Sequence, residues 1–438
     1  MSSLDAKLAA ALHSREQRLI RRRLPDPVAD AGLADFASND YLSLAQSPTL
    51  RDRFLRKLAA APHVLGSGGS RLLVNGPAHA ALEARLAAFF DSPAALVFNS
   101  GFDANVGFFA CIPQPGDVVV YDEFIHASVH DGMRAGRTAP AARYPFSHNS
   151  VEALRAVLNK LLQERPGLRS GEENVFVAVE SLYSMDGTVA PLAEIVGLME
   201  DLFPLGNEHV VVDEAHATGI YGPNGRGLVA HLGLEKRVLA RLHTFGKALA
   251  GTGAVLLTST LIRDYLINYA RSLIYTTSLS HANIIAVDCS LDLLEDGTAE
   301  NLASRLQNLS RYFLSSLHTS LLTVPPSLLC LPPHLAFPHT STDSTALPTP
   351  IIPLLTPHPR PLSAHLRALG LNAKPITWPT VPKGRERVRV CLHAGNTHAQ
   401  VETLVRGAVE WAERRAREDE RCGERKDESE VQFVQSKL

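Results

Sequence analysis

Short apolar runs alternate with amphipathic stretches through the middle of the chain. The runs are Ala95-Leu-Val-Phe98, Asp117-Val-Val-Val-Tyr121, Val175-Phe-Val-Ala-Val-Glu180, His209-Val-Val-Val-Asp213 and Gly253-Ala-Val-Leu-Leu257. Each is unbroken, rich in valine and flanked by polar or turn-forming residues, which is the pattern of a strand buried on both faces. Between them the spacing of apolar positions predicts helices, as over residues 150–164 and 192–203. Another helix is predicted from Gly76-Pro77, with Leu82, Leu86, Phe89 and Phe90 on one face and a stop at Asp91-Ser92-Pro93. Strands alternating with helices over residues 94–260 make the fold class α/β, with a mostly parallel sheet covered on both sides.

The flanks read differently. Residues 3–23 have helical spacing and end in Arg21-Arg22-Arg23, with Pro25 and Pro27 as stops. A short strand and turn follow at residues 35–43. Residues 261–275 and 283–320 are helical in pattern. Prolines then cluster over residues 324–361, which predicts an exposed, weakly ordered insertion. Residues 351–392 read as a small α+β unit with a strand, a helix over 362–369, a proline-rich turn and a strand over 387–392. From Trp411 to Glu430 the chain is crowded with charge, as in a solvated helix that frays into a tail. The expected organisation is an N-terminal arm (1–45), a large domain (46–290), a small C-terminal domain (291–415) and a charged tail (416–438).

Composition narrows the function classes. A formal net charge of −2 argues against wholesale nucleic-acid binding, which needs a basic footprint. The five cysteines are scattered and show no paired spacing, so neither a disulfide framework nor a structural metal site is expected. No apolar run is long enough to span a bilayer. An arginine-rich N-terminus resembles a mitochondrial presequence, against which Asp5 and Glu16 count. The chain ends in Ser436-Lys437-Leu438, the tripeptide that the peroxisomal import receptor reads. That predicts the receptor as a partner and a peroxisomal location, or a cytoplasmic one if the signal is unused.

The polar residues that follow the strands carry the candidate chemistry. Asp213 and His216 lie at the C-terminal lip of a predicted strand, where open α/β sheets place their ligands. Lys247 follows in His243-Thr244-Phe-Gly246-Lys247. An acid, an imidazole and a lysine meet the needs of a pyridoxal-phosphate site: a Schiff base, a partner for the pyridine nitrogen and a cover for the ring. A helix starting after Ser100-Gly101-Phe102 aims free backbone N–H groups at an anion, although an ordinary strand-to-helix turn explains that stretch equally well. His126 and Ser184 also fall just past strand ends. Gly66-Ser67-Gly68-Gly69-Ser70 matches neither dinucleotide nor P-loop patterns. Asn39-Asp40 reads as turn chemistry, and Tyr275-Thr276-Thr277-Ser278 as a hydroxyl-rich turn. Three adjacent arginines are by themselves a solvated helix face.

Taken together and in order, Ser38-Asn39-Asp40-Tyr41-Leu42, Gly66 to Ser70, Ser100-Gly101-Phe102, His126-Ala-Ser128, Ser184-Met-Asp-Gly187, Asp213-Glu-Ala-His216, Thr244-Phe-Gly-Lys247 and Pro379-Thr380-Val381-Pro382 resemble the α-oxoamine synthases, fold-type-I pyridoxal-phosphate enzymes. The resemblance runs from about Ser14 to Glu410. It implies a fold-type-I transferase whose cofactor is pyridoxal 5′-phosphate, with no metal. Lys247 would hold the cofactor and take the α-proton, Asp213 would pair with the ring nitrogen, and His126 would stack on the ring. His216, Ser184 and Thr244 would bind cofactor oxygens. Gly101 and Phe102 would lie at the phosphate, and Thr276 and Thr277 would reach the phosphate of a second subunit, which implies a homodimer. Arg21, Asn39 and Thr380 would contact substrate. The implied reaction joins an amino acid to an acyl-CoA with loss of carbon dioxide. The expected pair is L-alanine and pimeloyl-CoA, a step of biotin synthesis. Glycine acetyltransferase-like and serine palmitoyltransferase-like activities, or a non-catalytic subunit on the same fold, are the alternatives.

One position departs from the pattern. The family usually has an arginine two residues before Pro-Thr-Val-Pro, where it grips the amino-acid carboxylate. Here that residue is Thr377. A hydroxyl cannot form the bidentate ion pair, so Lys374, Lys383 or Arg385 is expected to substitute, or amino-acid binding is altered.

Overall fold

The computed structural model describes residues 2–18, 20–336 and 347–435, with side chains as far as Arg421. The import tripeptide and most of the Ser/Thr-rich stretch of the insertion lie outside the described residues. The chain forms two compact units. The larger comprises residues 39–184 and 188–305, and the smaller comprises residues 1–38, 185–187 and 306–438. The division falls within the helix Thr298–Ser320.

Strand β1 is Ala34–Asp35. The larger unit then supplies β2 (Ala94–Phe98), β3 (Val118–Asp122), β4 (Arg143–Phe146), β5 (Val175–Glu180), β6 (Glu208–Asp213), β7 (Ala240–Thr244) and β8 (Ala254–Thr258). The smaller unit adds β9 (Ile351–Leu355), β10 (Leu371–Asn372), β11 (Lys374–Ile376) and β12 (Arg387–Cys391).

In the larger unit seven strands form one sheet in the order β2-β8-β7-β6-β5-β3-β4. β7, β6, β5, β3 and β4 run parallel, and β8 pairs antiparallel with both β7 and β2. Each valine-rich run predicted as a strand is one, and every residue of β2, β5 and β8 is buried. One buried cluster joins Leu96, Phe98, Val119, Phe176, Val211, Leu242 and Leu256 of the sheet to Phe108, Phe109 and Val129 of the covering helices. Parallel pairing sends each strand's C-terminus to the same edge of the sheet. Asp122, Glu180, Asp213 and Thr244 are the last residues of β3, β5, β6 and β7, so four polar side chains share that lip.

Two of these strands were not marked by the apolar pattern. β7 reads Ala-Arg-Leu-His-Thr, so charged and imidazole groups interrupt its run. Its polar groups are met in part: Arg241 donates to the Phe90 carbonyl at 2.9 Å, and His243 Nδ1 bonds the Thr218 hydroxyl at 2.9 Å, while Arg241 Nη1 and His243 Nε2 find no hydrogen-bond partner among the described residues. β4 is an edge strand that carries Pro145, a place where a missing N–H costs little.

The helix boundaries also differ from the pattern. The first helix, Ser3–Gln17, stops before the arginines and not at the prolines. It carries no buried residue, so no packed face extends it. The predicted helix over 283–320 is two helices, His281–Glu295 and Thr298–Ser320, split at Gly297, whose φ is +83°. In the smaller unit β12 lies between β11 and β9, antiparallel to both. The proline-rich stretch is better ordered than expected where it is described: Leu328, Leu329, Leu331 and Leu335 are buried, and Cys330 pairs with Leu355. Cys111, Cys289 and Cys391 are buried free thiols. No helix among the described residues is long and apolar enough to cross a membrane.

Candidate active site

The lip of the sheet gathers the residues that the sequence marked separately. Asp213 ends β6 and is almost fully buried. Its Oδ1 accepts the Ala215 N–H at 2.9 Å, and its Oδ2 accepts from the Asn105 amide at 2.8 Å. Asn105 belongs to the helix Gly101–Cys111, which follows β2. The same amide nitrogen donates to the Ser128 hydroxyl at 2.9 Å, and that hydroxyl lies 2.7 Å from His126 Nδ1. A continuous polar chain therefore runs from Asp213 through Asn105 and Ser128 to His126. It fixes the direction of the carboxylate and the tilt of the imidazole together.

His126 caps the helix Ala127–Ala135, accepting the Ser128 N–H at 3.2 Å. It is an exposed residue. Phe102 stands edge-on to it at 6.4 Å between centroids. The enclosing protein lowers the proton affinity of His126; Asp213 opposes that shift and Lys247 adds to it.

His216 is buried, and its Nδ1 lies 2.7 Å from the hydroxyl of Tyr41. Tyr41 in turn reaches Asn39 Oδ1 at 3.2 Å. The candidate substrate residue Asn39 is thus tied to the imidazole through a wholly buried tyrosine. Asp40 does the turn chemistry beside it, accepting from the N–H groups of Leu44 and Ala45 at 2.9 and 3.1 Å. Thr244 ends β7, and its hydroxyl accepts the Gly246 N–H at 3.3 Å on the way to half-buried Lys247.

Ser100 caps the helix Gly101–Cys111 through its hydroxyl, which accepts the Asp103 N–H at 3.0 Å. The first-turn N–H groups at Gly101 and Phe102 remain to serve an anion. Thr276 and Thr277 are held by Asn99, whose amide donates to the Thr276 hydroxyl at 3.2 Å and the Thr277 carbonyl at 2.6 Å. Ser184 is half-buried at the unit's edge.

Two carboxyls that sequence reasoning passed over lie at this lip. Glu180 ends β5 directly beside Asp213, its register partner. It is buried, and its Oε1 has no hydrogen-bond partner. Burial pushes its carboxyl well above 4.5, with Asp213 and Asp122 adding to the shift and Lys247 opposing it. Glu214 is fully buried and accepts from Leu228 N–H at 2.9 Å, Val229 N–H at 2.6 Å and the Ser181 hydroxyl at 2.9 Å. It ties the segment after β6 to the helix Leu228–His231. Asn105 was likewise missed. A single amide inside an apolar helix carries no spacing signal; only its contact with Asp213 marks it.

Three other candidates, Arg21, Thr380 and Thr377, belong to the smaller unit. Arg21 pairs with Glu16 at 3.3 Å and is partly exposed. Thr380 donates its N–H to the Thr377 carbonyl at 3.0 Å and is exposed. Among the expected substitutes for the missing arginine, Lys374 is engaged by Asp30 at 3.4 Å. No cluster of metal-ligating side chains occurs among the described residues.

The model of the aminotransferase class I and II family matches residues 31–407, most of the chain. The chain belongs to that family. It is 46% identical over 416 residues to 8-amino-7-oxononanoate synthase of Emericella nidulans, covering 94% of this chain and 96% of the relative. An aminoacyl transferase of Aspergillus fumigatus is 40% identical, with 86% and 80% covered. Among solved structures, serine palmitoyltransferase of S. paucimobilis with bound PLP–myriocin superposes with a TM-score of 0.74 at 24% identity, over 94% of this chain and 98% of that one. The 8-amino-7-oxononanoate synthase of Francisella tularensis gives 0.65 at 23%, over 88% and 99%. The expected fold-type-I transferase fold and the α-oxoamine synthase resemblance are both borne out.

The donor set of this class I and II family member fits a phosphorylated pyridine aldehyde. The buried Asp213 carboxyl is steered by two N–H donors, with lone pairs left for a ring N–H. His126 offers an exposed imidazole, Lys247 an amine, and the Gly101 helix an anion site.

Proposed function

We propose that this protein condenses L-alanine with pimeloyl-CoA, releasing coenzyme A and carbon dioxide and forming 8-amino-7-oxononanoate, with pyridoxal 5′-phosphate as cofactor. The polar chain from Asp213 to His126 carries the reading, because it fixes an acid and a ring face at one lip as that cofactor requires. Likeness over nearly the whole chain to 8-amino-7-oxononanoate synthase supports the choice of substrates.

Lys247 would hold the cofactor covalently, with Ser184, His216, Thr244 and the Gly101–Phe102 helix start as its oxygen ligands. When bound, pyridoxal phosphate supplies an electron sink for the pair left on the amino acid's α-carbon. Asp213 would pair with the ring nitrogen and favour its protonated form. Asn105 and Ala215 hold that carboxylate in one direction. His126, fixed by Ser128, orients the ring and closes one face to water. Lys247 Nζ, once displaced, takes the α-proton and later returns it. Burial and the neighbouring Asp213 favour the protonated form of Glu180, which limits the charge beside Asp213.

The homodimer is supported by a patch on the larger unit. Leu65, Leu73 and Tyr275 are 78%, 81% and 72% exposed. Their segments are joined by Ser278 N–H to Gly69 O at 3.0 Å and His281 N–H to Leu65 O at 3.1 Å. Clustered exposed apolar groups next to Thr276 and Thr277 suit a subunit contact.

A second reading is favoured by Thr377 and by the aminoacyl transferase relative: the same chemistry on another amino acid or acyl chain. A screen of acyl-CoAs against L-alanine, glycine and L-serine, following coenzyme A release, separates the two. Pimeloyl-CoA with L-alanine is expected to be fastest. A faster reaction of acetyl-CoA with glycine, or of palmitoyl-CoA with L-serine, would replace the first reading by the second.

A further inference from the structure

Trp378 has two cations near its ring in the smaller unit. The Arg18 guanidinium lies 5.9 Å from its ring centroid and the Lys383 ammonium 5.4 Å. All three line a cavity of ≈ 480 Å³, together with Arg360, Glu386 and Thr377. The rings of Pro357, Pro359 and Pro361 complete its apolar wall. Arg18 and Lys383 bring positive charge to this lining. Among the described residues no ion pair or hydrogen bond holds the Lys383 side chain, and Arg18 donates only to a neighbouring carbonyl, at 3.3 Å.

We infer that this cavity binds the adenosine 3′,5′-bisphosphate end of the acyl-CoA. The inference rests on the acyl-CoA reading above. Size decides against the amino acid: the volume lies in the range of roughly 300–1,000 Å³ taken by cofactor-sized ligands, far more than an alanine carboxylate fills. Charge and shape select the nucleotide. Its phosphates answer the charges of Arg18 and Lys383. The purine lies on the indole and proline surfaces, where base stacking is sequence- and partner-tolerant. Glu386 offers an acceptor for the purine amino group. Lys383, the one proposed substitute for the missing arginine that shares a cavity with Thr377, is thereby assigned to the thioester substrate and not to the amino acid.

The test uses the holoenzyme with two substrates that carry the same acyl group, pimeloyl-CoA and the N-acetylcysteamine thioester of pimelate. Lys383→Ala and Trp378→Leu should each raise KM for pimeloyl-CoA on the order of tenfold, the effect of losing one charge contact or one stacked ring. KM for the nucleotide-free thioester should change less than about twofold. In a Trp411→Phe background Trp378 is the sole remaining tryptophan of two, and adenosine 3′,5′-bisphosphate should quench its fluorescence. Equal KM changes for the two thioesters, or no quenching, overturn the subsite. If the wild-type holoenzyme releases no coenzyme A from any acyl-CoA, the parent reading fails instead, and the quenching experiment still decides the cavity.

Discussion

Asn105 donates to Asp213 across 2.8 Å, from a helix that follows one strand to the last residue of another. The two side chains come from distant parts of the sequence, and their contact aims the carboxylate. Replacing Asn105 by Ala removes a buried bond to the Asp213 carboxyl and leaves the Ser128 hydroxyl with His126 as its partner. Stability should fall by about 1–3 kcal/mol in urea unfolding. Cofactor affinity should fall as well, measured by equilibrium dialysis. A variant with unchanged affinity would mean that Asp213 is aimed by Ala215 alone.

Glu180 gives a pH signature. Its folded-state carboxyl titrates well above 4.5 because it is buried beside Asp213. The native protein therefore keeps a proton that the unfolded chain loses, and stability falls as pH rises from about 4.5 toward the folded value. Glu180→Gln is neutral at every pH and should remove that part of the decline. Urea midpoints from pH 4.5 upward compare the two proteins. Parallel curves would show that Glu180 is ionised in the folded state.

Gly227 has φ +95°, and a Cβ placed there would stand 2.5 Å from Glu214 Oε2. Both the backbone conformation and the close approach require glycine. Gly227→Ala should cost at least about 2 kcal/mol, read as a lowered melting temperature. Loss of the Glu214 contacts with Leu228 and Val229 should appear as faster amide exchange at those two residues.

The sheet was legible because valine-rich runs have few other uses in a soluble fold. Most of the lip was legible too, since Asp213, His216 and Thr244-to-Lys247 follow strands directly. β7 was hidden by Arg241 and His243, which find their Phe90 and Thr218 partners only in three dimensions and are satisfied only in part. Asn105, Glu180 and Glu214 were hidden for the same reason: their roles arise from register and burial, which no linear spacing encodes. The end of the first helix at Gln17 was misjudged because solvated helices lack the packing that sharpens a boundary.

Lys247→Ala should abolish turnover, a loss of at least about 10³-fold for removal of the nucleophile and base together. Dialysis should still find the cofactor bound without a covalent link, held by Asp213 and the Gly101 helix start. Measurable turnover in this variant would move the catalytic amine elsewhere.

The most direct measurement feeds the holoenzyme carboxyl-labelled L-alanine and pimeloyl-CoA and follows both products. The account predicts that labelled carbon dioxide and coenzyme A appear in equal amounts, and that both cease in Lys247→Ala. Coenzyme A release without labelled carbon dioxide, or no release of either from the wild-type protein, would contradict it.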